Sequence, residues 1–357
     1  MKLPARATAA LAFATLALIA AASAPSARFT DVLDQPAARS PLASQRLLQA
    51  SAVAGQRLVA AGARGHIVYS DDRGASWTQA KVPVSADLTA LHFVDARLGW
   101  AVGHEGVVLH TRDGGATWTV QLDGRRANAL VLAHVRGLAG MDPAALESLK
   151  AEAERAVAEG PSRPFLDVWF ANANEGYVVG AYNLIFHTRD GGKTWEPWVD
   201  RTQNDRFYHL YGIRGSRDGV YIVGELGVAQ RFDAAAGRFV KMQTPYEGSF
   251  FGVLDKPGLV LAYGMRGTAY RSRDGGTTWE ASDTGVTASI TGGTVLPDGR
   301  LLLVSQAGDA LLSDDDGTHF RRLVLQAPMP YTGVAVSGDA LVLTGVRGVR
   351  VEHPKSL

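Results

Sequence analysis

The 357-residue chain contains no cysteine, so neither a disulfide nor a cysteine-borne lipid anchor can form. Charge of one sign is missing as well. Lys and Arg number 36 against 35 Asp and Glu, a net charge of +1, which argues against nucleic acid or a polybasic membrane surface as the partner. Long apolar runs are also absent. The longest spans about residues 9–21, short of the roughly 20 residues a membrane-crossing helix needs. That run follows Lys2 and Arg6 and ends in small residues, so 1–27 reads as a secretory signal peptide. Residues 28–357 are then expected to be exported, with no direct membrane insertion. Against these absences stand 40 glycines, which suit many short strands joined by tight turns in one large β domain.

The glycines are ordered. Residues 99–118 read GWAVGHEGVVLHTRDGGATW: a short apolar strand, a Gly103-x-x-Gly106 turn, a second strand, and a box of Thr111, Asp113, Gly115, Thr117 and Trp118. Alternating apolar residues on both sides of the turn signal a hairpin. In the box, Asp113 can fold its carboxylate onto following N–H groups while Trp118 has a large ring to bury. This is the Asp-box pattern S/T-x-D-x-G-x-S/T-W. It returns with Asp72 and Trp77, Asp190 and Trp195, and Asp274 and Trp279. Two copies are worn: Asp315 is followed by Phe320 in the Trp place, and Ala234 stands where an Asp is due before Phe239. A last Gly345-x-x-Gly348 lies near the end. Where the steps are regular, the second glycines fall 40 or 41 residues apart. A period of roughly 40–50 residues carrying four short strands is a propeller blade, and seven such units make an all-β, seven-bladed β-propeller. The boxes are read as structural turns, without catalytic duty.

Between Asp113 and Asp190 the spacing grows to 77 residues without another Gly-x-x-Gly. The excess, about 125–162, reads as a helical insertion between blades two and three. Asp142-Pro143 is an N-cap with proline at the first helical position, Leu146, Leu149, Ala153 and Val157 follow at helical spacing, and Gly160-Pro161 stops the helix. A second, shorter helix is expected over Asn128 to Leu138. At the two chain ends, Arg28 to Leu33 looks like a strand without a blade, and the seventh unit lacks residues for a fourth strand. The N-terminal strand is therefore expected to complete the last blade.

The unit G-W/Y-x-V-G … G-x-I/V-x-x-T-x-D-G-G-x-T-W, carried by residues 61–77, 98–118, 175–195, 223–239, 263–279 and 305–320, resembles the seven-bladed propellers that assist photosystem II assembly in cyanobacteria and plastids, and their relatives in non-photosynthetic bacteria. The resemblance implies an exported, non-catalytic propeller that binds a membrane-protein client during assembly or supports a membrane complex or transporter; no cofactor or metal is expected. Its place would be the periplasm, or the thylakoid lumen in a photosynthetic host. Lacking a cysteine for lipid attachment, the chain is most similar to the bacterial branch.

Because antiparallel strands alternate direction, the Asp-box turns share one face and the Gly-x-x-Gly turns the other. The second face gathers the partner-binding candidates. Arg64, Arg266 and Arg347 precede the second glycine in blades one, five and seven, so they fall on one arc; by resemblance they are the counterpart of the family's client-contacting arginine patch. Glu105 holds that position in blade two, and Glu225 lies beside it in blade four. Tyr208, His209 and Tyr331 add aromatic side chains of the kind found in binding hot spots, while Phe250 and Phe251 are expected to plug the central channel. The alternative from another class is a sialidase-type glycosidase, in which the three arginines, Tyr331 and Glu225 would form the site. The Phe/Tyr-Arg-Ile-Pro motif of that class is absent. Gly192-Lys193-Thr194 lacks the leading glycine of a phosphate loop, and His104-Glu105 lacks the second histidine of a zinc helix.

Overall fold

Every repeat of the sequence becomes a small antiparallel sheet. The computed structural model describes residues 30–355 and 357, and within them seven sheets follow one another along the chain, six of four strands and a last of three. Their innermost strands are Leu48–Ala54, Leu88–Phe93, Phe165–Phe170, Leu210–Ser216, Phe250–Lys256, Ile290–Val295 and Tyr331–Ser337. Each packs beside the innermost strand of the next sheet, and Tyr331–Ser337 packs beside Leu48–Ala54. The architecture is an all-β propeller.

The seam between last and first sheets uses the same contact as other boundaries. Thr89 Oγ1 donates to the Phe165 carbonyl at 2.8 Å, Thr291 Oγ1 to Tyr331 at 2.8 Å, and Thr332 Oγ1 to Leu48 at 2.7 Å. Leu58 and Trp77 of the first sheet bury against Val342, Val349 and Val351 of the last. Among the described residues the expected closing strand is not found. Arg28 and Phe29 lie outside the described residues, and Thr30 to Leu33 are not in a strand. The reason is where Leu33 buries: its side chain joins Val82 and Val84, and the Val32 carbonyl takes the Ser85 N–H at 2.8 Å. That anchors the segment beside the link between the first two sheets, and the last sheet keeps three strands.

The Gly-x-x-Gly turns are explained by close backbone approach. A Cβ on Gly103 would sit 2.1 Å from the Asp87 carbonyl oxygen, at the lead-in to its own sheet. Gly267, at φ +73°, would meet the Val286 carbonyl at 2.0 Å. The residue before the second glycine is also left-handed: Arg64, Glu105, Tyr182, Leu226 and Arg266 have φ between +48° and +58°. In the third sheet Asn183 replaces the second glycine at φ +62° and uses its side chain, accepting from Thr202 Oγ1 at 2.9 Å.

Each Asp-box is a closed set of hydrogen bonds. Thr111 Oγ1 donates to Asp113 Oδ1 at 2.8 Å and accepts from Gly115 N at 2.9 Å. Asp113 accepts from Thr117 N at 2.9 Å and Thr117 Oγ1 at 2.6 Å. Trp118 donates Nε1–H to the Gly115 carbonyl at 2.9 Å and buries between sheets, 4 % exposed, edge-on to Phe93. In the box with Phe320 the pattern persists, His319 donating from N and Nδ1 to Asp315 at 3.0 and 2.7 Å.

Two helices stand between the second and third sheets in the chain: α1 (Gly124–Gly137) and α2 (Pro143–Glu159). α1 begins earlier than expected, because Asp123 caps it by accepting the Arg126 N–H. α2 starts at Pro143 behind the Asp142 cap and stops at Gly160, φ +79°. Ala127, Val131 and Val135 of α1 and Leu149 and Ala153 of α2 enter one core with the third sheet.

Truncating Trp118 to alanine is expected to cost about 3–5 kcal/mol, as for large buried aromatics, and Asp113→Ala about 1–2 kcal/mol from lost turn hydrogen bonds. Denaturant melts of the two variants check the order. A second pair separates close approach from general glycine loss. Gly103→Ala should lower the midpoint, overpacking costing about 1–3 kcal/mol, whereas Gly137→Ala, with nothing within 4 Å of its Cβ, should not.

Candidate functional site: the Gly-x-x-Gly turn face

The hairpin turns lie at one end of every sheet, and they present two unlike arcs. Arg64, Arg266 and Arg347 are exposed, in sheets one, five and seven, with no ion-pair partner among the described residues. Sheet six, between the last two, carries the neutral Gln306 and Ala307 in its turn. Because the innermost strands of sheets five, six, seven and one are successive neighbours, these arginines form one cationic arc. The other arc is apolar and acidic. Tyr182 is 47 % exposed and Leu226 54 %, while Glu105 and Glu225 are half-buried. Tyr182 was missed by sequence reasoning, and Leu226, which sequence places at the same turn position as Arg64 and Arg266, was not taken as a binding candidate.

His209 and Glu225 turn out to hold backbone. His209 Nδ1 accepts the Tyr182 N–H at 3.0 Å, and Glu225 Oε2 accepts the His209 N–H at 3.1 Å. The same linkage recurs: Arg64 N donates to Asp87 Oδ1 at 2.6 Å, Leu226 N to Ser249 Oγ at 3.4 Å, and Arg266 N to Ser289 Oγ at 3.3 Å. Tyr208 is half-buried, its hydroxyl taking a bond from Arg206 at 3.3 Å. Tyr331 does not belong to this face. It is 1 % exposed, packed with Leu312, Leu323 and Met329, because it opens an innermost strand whose first residue points into the core. With it goes the tyrosine of a sialidase-like constellation.

From Tyr182 a line of edge-on rings leads inward: His209 at 4.8 Å, Tyr211 at 6.0 Å from His209, and Phe251 at 5.7 Å from Tyr211. Phe251 lines the central channel, as expected, whereas Phe250 is buried against Tyr246 and Tyr270. The helical segment reaches this arc too. The Arg163 guanidinium lies 4.8 Å from the Tyr182 ring centre and pairs with Glu152 of α2 at 2.7 Å.

Comparison with known proteins decides the family. The model of the photosynthesis system II assembly factor YCF48 matches residues 69–135 and 154–321, more than half of the chain. The chain belongs to the YCF48 family. The photosystem II assembly lipoprotein Ycf48 of Synechococcus sp. (strain CC9902) is 26 % identical over 129 residues, 35 % of this chain and 38 % of that relative. That of Prochlorococcus marinus (strain MIT 9313) is 27 % identical over 120 residues, 33 % of this chain and 36 % of that relative. The chain thus matches less than half the length of these relatives. Among solved structures, YCF48 bound to D1 peptide aligns with TM-score 0.62 at 15 % identity, over 89 % of this chain and 96 % of that one. YCF48 from Cyanidioschyzon merolae aligns with TM-score 0.62 at 14 % identity, over 89 % and 98 %. The WD40 propeller of Doa1 aligns with TM-score 0.60 at 10 % identity, over 90 % and 97 %. At such identities the structures establish the shared propeller fold.

On the axis of this YCF48-family propeller a pocket of about 140 Å³ is lined by residues of all seven innermost strands, Asp167 and Arg214 among them. Asp167 accepts from Arg214, from Ile213 N at 2.9 Å and from Val168 N at 2.9 Å, linking the third and fourth sheets. Burial pushes the Asp167 carboxyl up, against the pull of Arg214. Burial, with Arg214 nearby, pushes the His92 imidazole down to about 4, and its Nε2 lies 3.0 Å from the Phe170 carbonyl. Burial likewise lowers His110 to about 4, where it stacks on Trp100 at 5.0 Å. Among the described residues no group of three or more His, Asp or Glu is placed to hold a metal.

These shifts fix an acid response. A histidine lowered in the folded state stabilises fully above its unfolded value of about 6.5, and that stability is lost as pH falls toward about 4. Asp72 and Asp274, held near 2 chiefly by hydrogen bonds from Ser76 and Thr278, add a second loss below their ordinary value of 3.8. The melting temperature should therefore fall in two stages, from pH 6.5 to 4 and again below 4. His110→Gln should blunt the first stage and leave the second.

Proposed function

We propose that this chain is an exported, non-catalytic propeller of seven blades that holds a membrane-protein client during assembly. It does so through the Gly-x-x-Gly face. Residues 1–27 act as signal peptide, and the working place is the periplasm, or the thylakoid lumen where the host is photosynthetic. The observation that carries the reading is the family match together with a propeller of the same fold, YCF48, that bears a D1 peptide. The lipoprotein names of the curated relatives support export, and no described helix is long and apolar enough to cross a membrane.

The physical argument lies in the turn face. Three exposed guanidinium groups on one arc attract carboxylates and can hold them bidentately, which a point charge cannot do. Tyr182 and Leu226 on the other arc supply apolar surface to anchor a segment whose carboxylates face the arginines. The bonds that lock Arg64, Tyr182, Leu226 and Arg266 to neighbouring lead-ins limit the ordering cost of binding.

Changing Arg64, Arg266 and Arg347 together to Glu should leave the melt unaltered and weaken capture of the client by at least roughly tenfold, about 1.4 kcal/mol. Arg112→Glu and Arg273→Glu, on the Asp-box face, are the controls. Pull-downs from membrane extracts, scored for one and the same partner, test this; equal recovery by the triple variant would refute the patch.

A further inference from the structure

Among the described residues, the last sheet has an open edge. Its outer strand, Gly348–Glu352, pairs on one side with Ala340–Gly345, in the register Gly345 with Gly348 through Leu341 with Glu352. A two-residue turn closes on a hydrogen-bonded pair, and such pairs alternate with non-bonded ones along an antiparallel ladder. Gly348, Arg350 and Glu352 therefore turn their main-chain groups inward, and Val349 and Val351 turn theirs outward. No backbone or side-chain group among the described residues bonds those outward N–H and C=O groups. In the first sheet the corresponding groups are taken by a fourth strand, Val68 pairing with Gln79 and Tyr69 with Thr78.

The edge is built to persist. The Val349 and Val351 side chains pack with Trp77 and Leu58 of the first sheet, so the strand is fixed while its outer margin has no partner among the described residues. The short turn Ala43–Gln45 covers only its beginning: a Cβ on Gly348 would meet the Ser44 carbonyl at 1.9 Å. At the far end the Glu352 carboxylate is occupied, accepting from Gln326 N at 2.7 Å and Ala327 N at 3.2 Å. Between these stops the edge offers four main-chain groups and one cation, Arg350. Natural edges are usually blunted by proline, lysine, a bulge or a cover, none of which protects Val349 and Val351.

We infer that this edge receives an extended segment of a partner protein by antiparallel strand addition, with an acidic residue opposite Arg350. Strand addition draws its affinity from main-chain hydrogen bonds and its selectivity from the alternate side chains. A second copy of this chain is the poorer occupant. The symmetric register that uses all four outward groups pairs Val349 with Val351 of the other copy, and it sets Arg350 directly against Arg350, a destabilising pair. The inference is independent of the arginine arc, which lies on the turn face.

The test uses the full chain and a capped pentapeptide, acetyl-Thr-Val-Glu-Val-Thr-amide. Amide exchange of Val349 and Val351 should be fast in the protein alone and slow at least roughly tenfold with saturating peptide, Arg350 and Glu352 being protected throughout. Methylating the two valine nitrogens of the peptide should abolish the effect without touching the protein. Val351→Pro, which removes one outward donor and spares the inner ladder, should do the same. A lysine in place of the central glutamate should weaken binding several-fold. The inference is overturned if Val349 and Val351 are already protected in the free protein, or if the methylated peptide binds as well as the parent. A concentration-dependent dimer that Val351→Pro abolishes would also overturn it, by giving the edge to a second copy.

Discussion

One main-chain hydrogen bond, made once in each sheet, carries the architecture. The first N–H of the hairpin turn donates back to the carbonyl that leads into the innermost strand: Ala63 to Leu47, His104 to Asp87, Ala181 to Pro164, Glu225 to His209, Met265 to Ser249, Gln306 to Ser289 and Val346 to Pro330. The bond brings two backbones so close that the residue before it is glycine in six of the seven sheets, Ser305 being the exception. It also forces the irregularity that opens every innermost strand, such as the shift between Leu88 and Ala90. In sheets one, three, four and five the next residue is left-handed, and its N–H bonds a side chain at the lead-in of the following sheet. Closure within one sheet and coupling to the next thus come from the same few atoms.

That locality explains what could be read in advance. An Asp-box spans eight residues, and its polar partners lie within four positions of one another, so spacing alone reports it. Even the copy with Phe320 keeps its geometry, His319 standing in for the hydroxyl residue. Tyr331 shows where local reading fails. Alternation alone does not say which way the first residue of an innermost strand points, because the irregularity beside it resets the parity. The signal was in the set: Leu48, Leu88, Phe165, Leu210, Phe250, Ile290 and Tyr331 all hold that place, all are large and apolar or aromatic, and none is more than 1 % exposed. The N-terminal segment failed for another reason. Its β-rich composition is real, but Leu33 found burial against Val82 and Val84, a long-range choice that no local pattern encodes.

The turn face shows how a structural device leaves room for binding. The left-handed position is fixed by its N–H and its φ, and neither constrains the side chain, which projects to solvent. Arg64, Tyr182, Leu226 and Arg266 are therefore interchangeable for the fold, and their differences are free to serve recognition. His209 runs the other way. It had the composition of a contact residue, yet its ring nitrogen is committed to the Tyr182 N–H and its ring stands perpendicular to that of Tyr182 at 4.8 Å. Changing it would move Tyr182, so an effect on binding would pass through position and not through contact.

Why the ring tolerates one incomplete blade follows from where its cohesion lies. The bonds that join neighbours, Thr89 to Phe165, Thr291 to Tyr331 and Thr332 to Leu48, run between innermost strands, and large buried rings also span adjacent sheets, as where Trp100 stacks on Phe170 at 3.5 Å. Fourth strands contribute least. Four of the six are only two residues long. Omitting one removes a few peripheral bonds and leaves the seam between first and last sheets intact, with Trp77 wedged against Val349 and Val351. The same economy sets the margin's character. A strand held firmly by its neighbours, but without an outer partner among the described residues, keeps its place while its outward main-chain groups are available, which is the condition a docking edge requires.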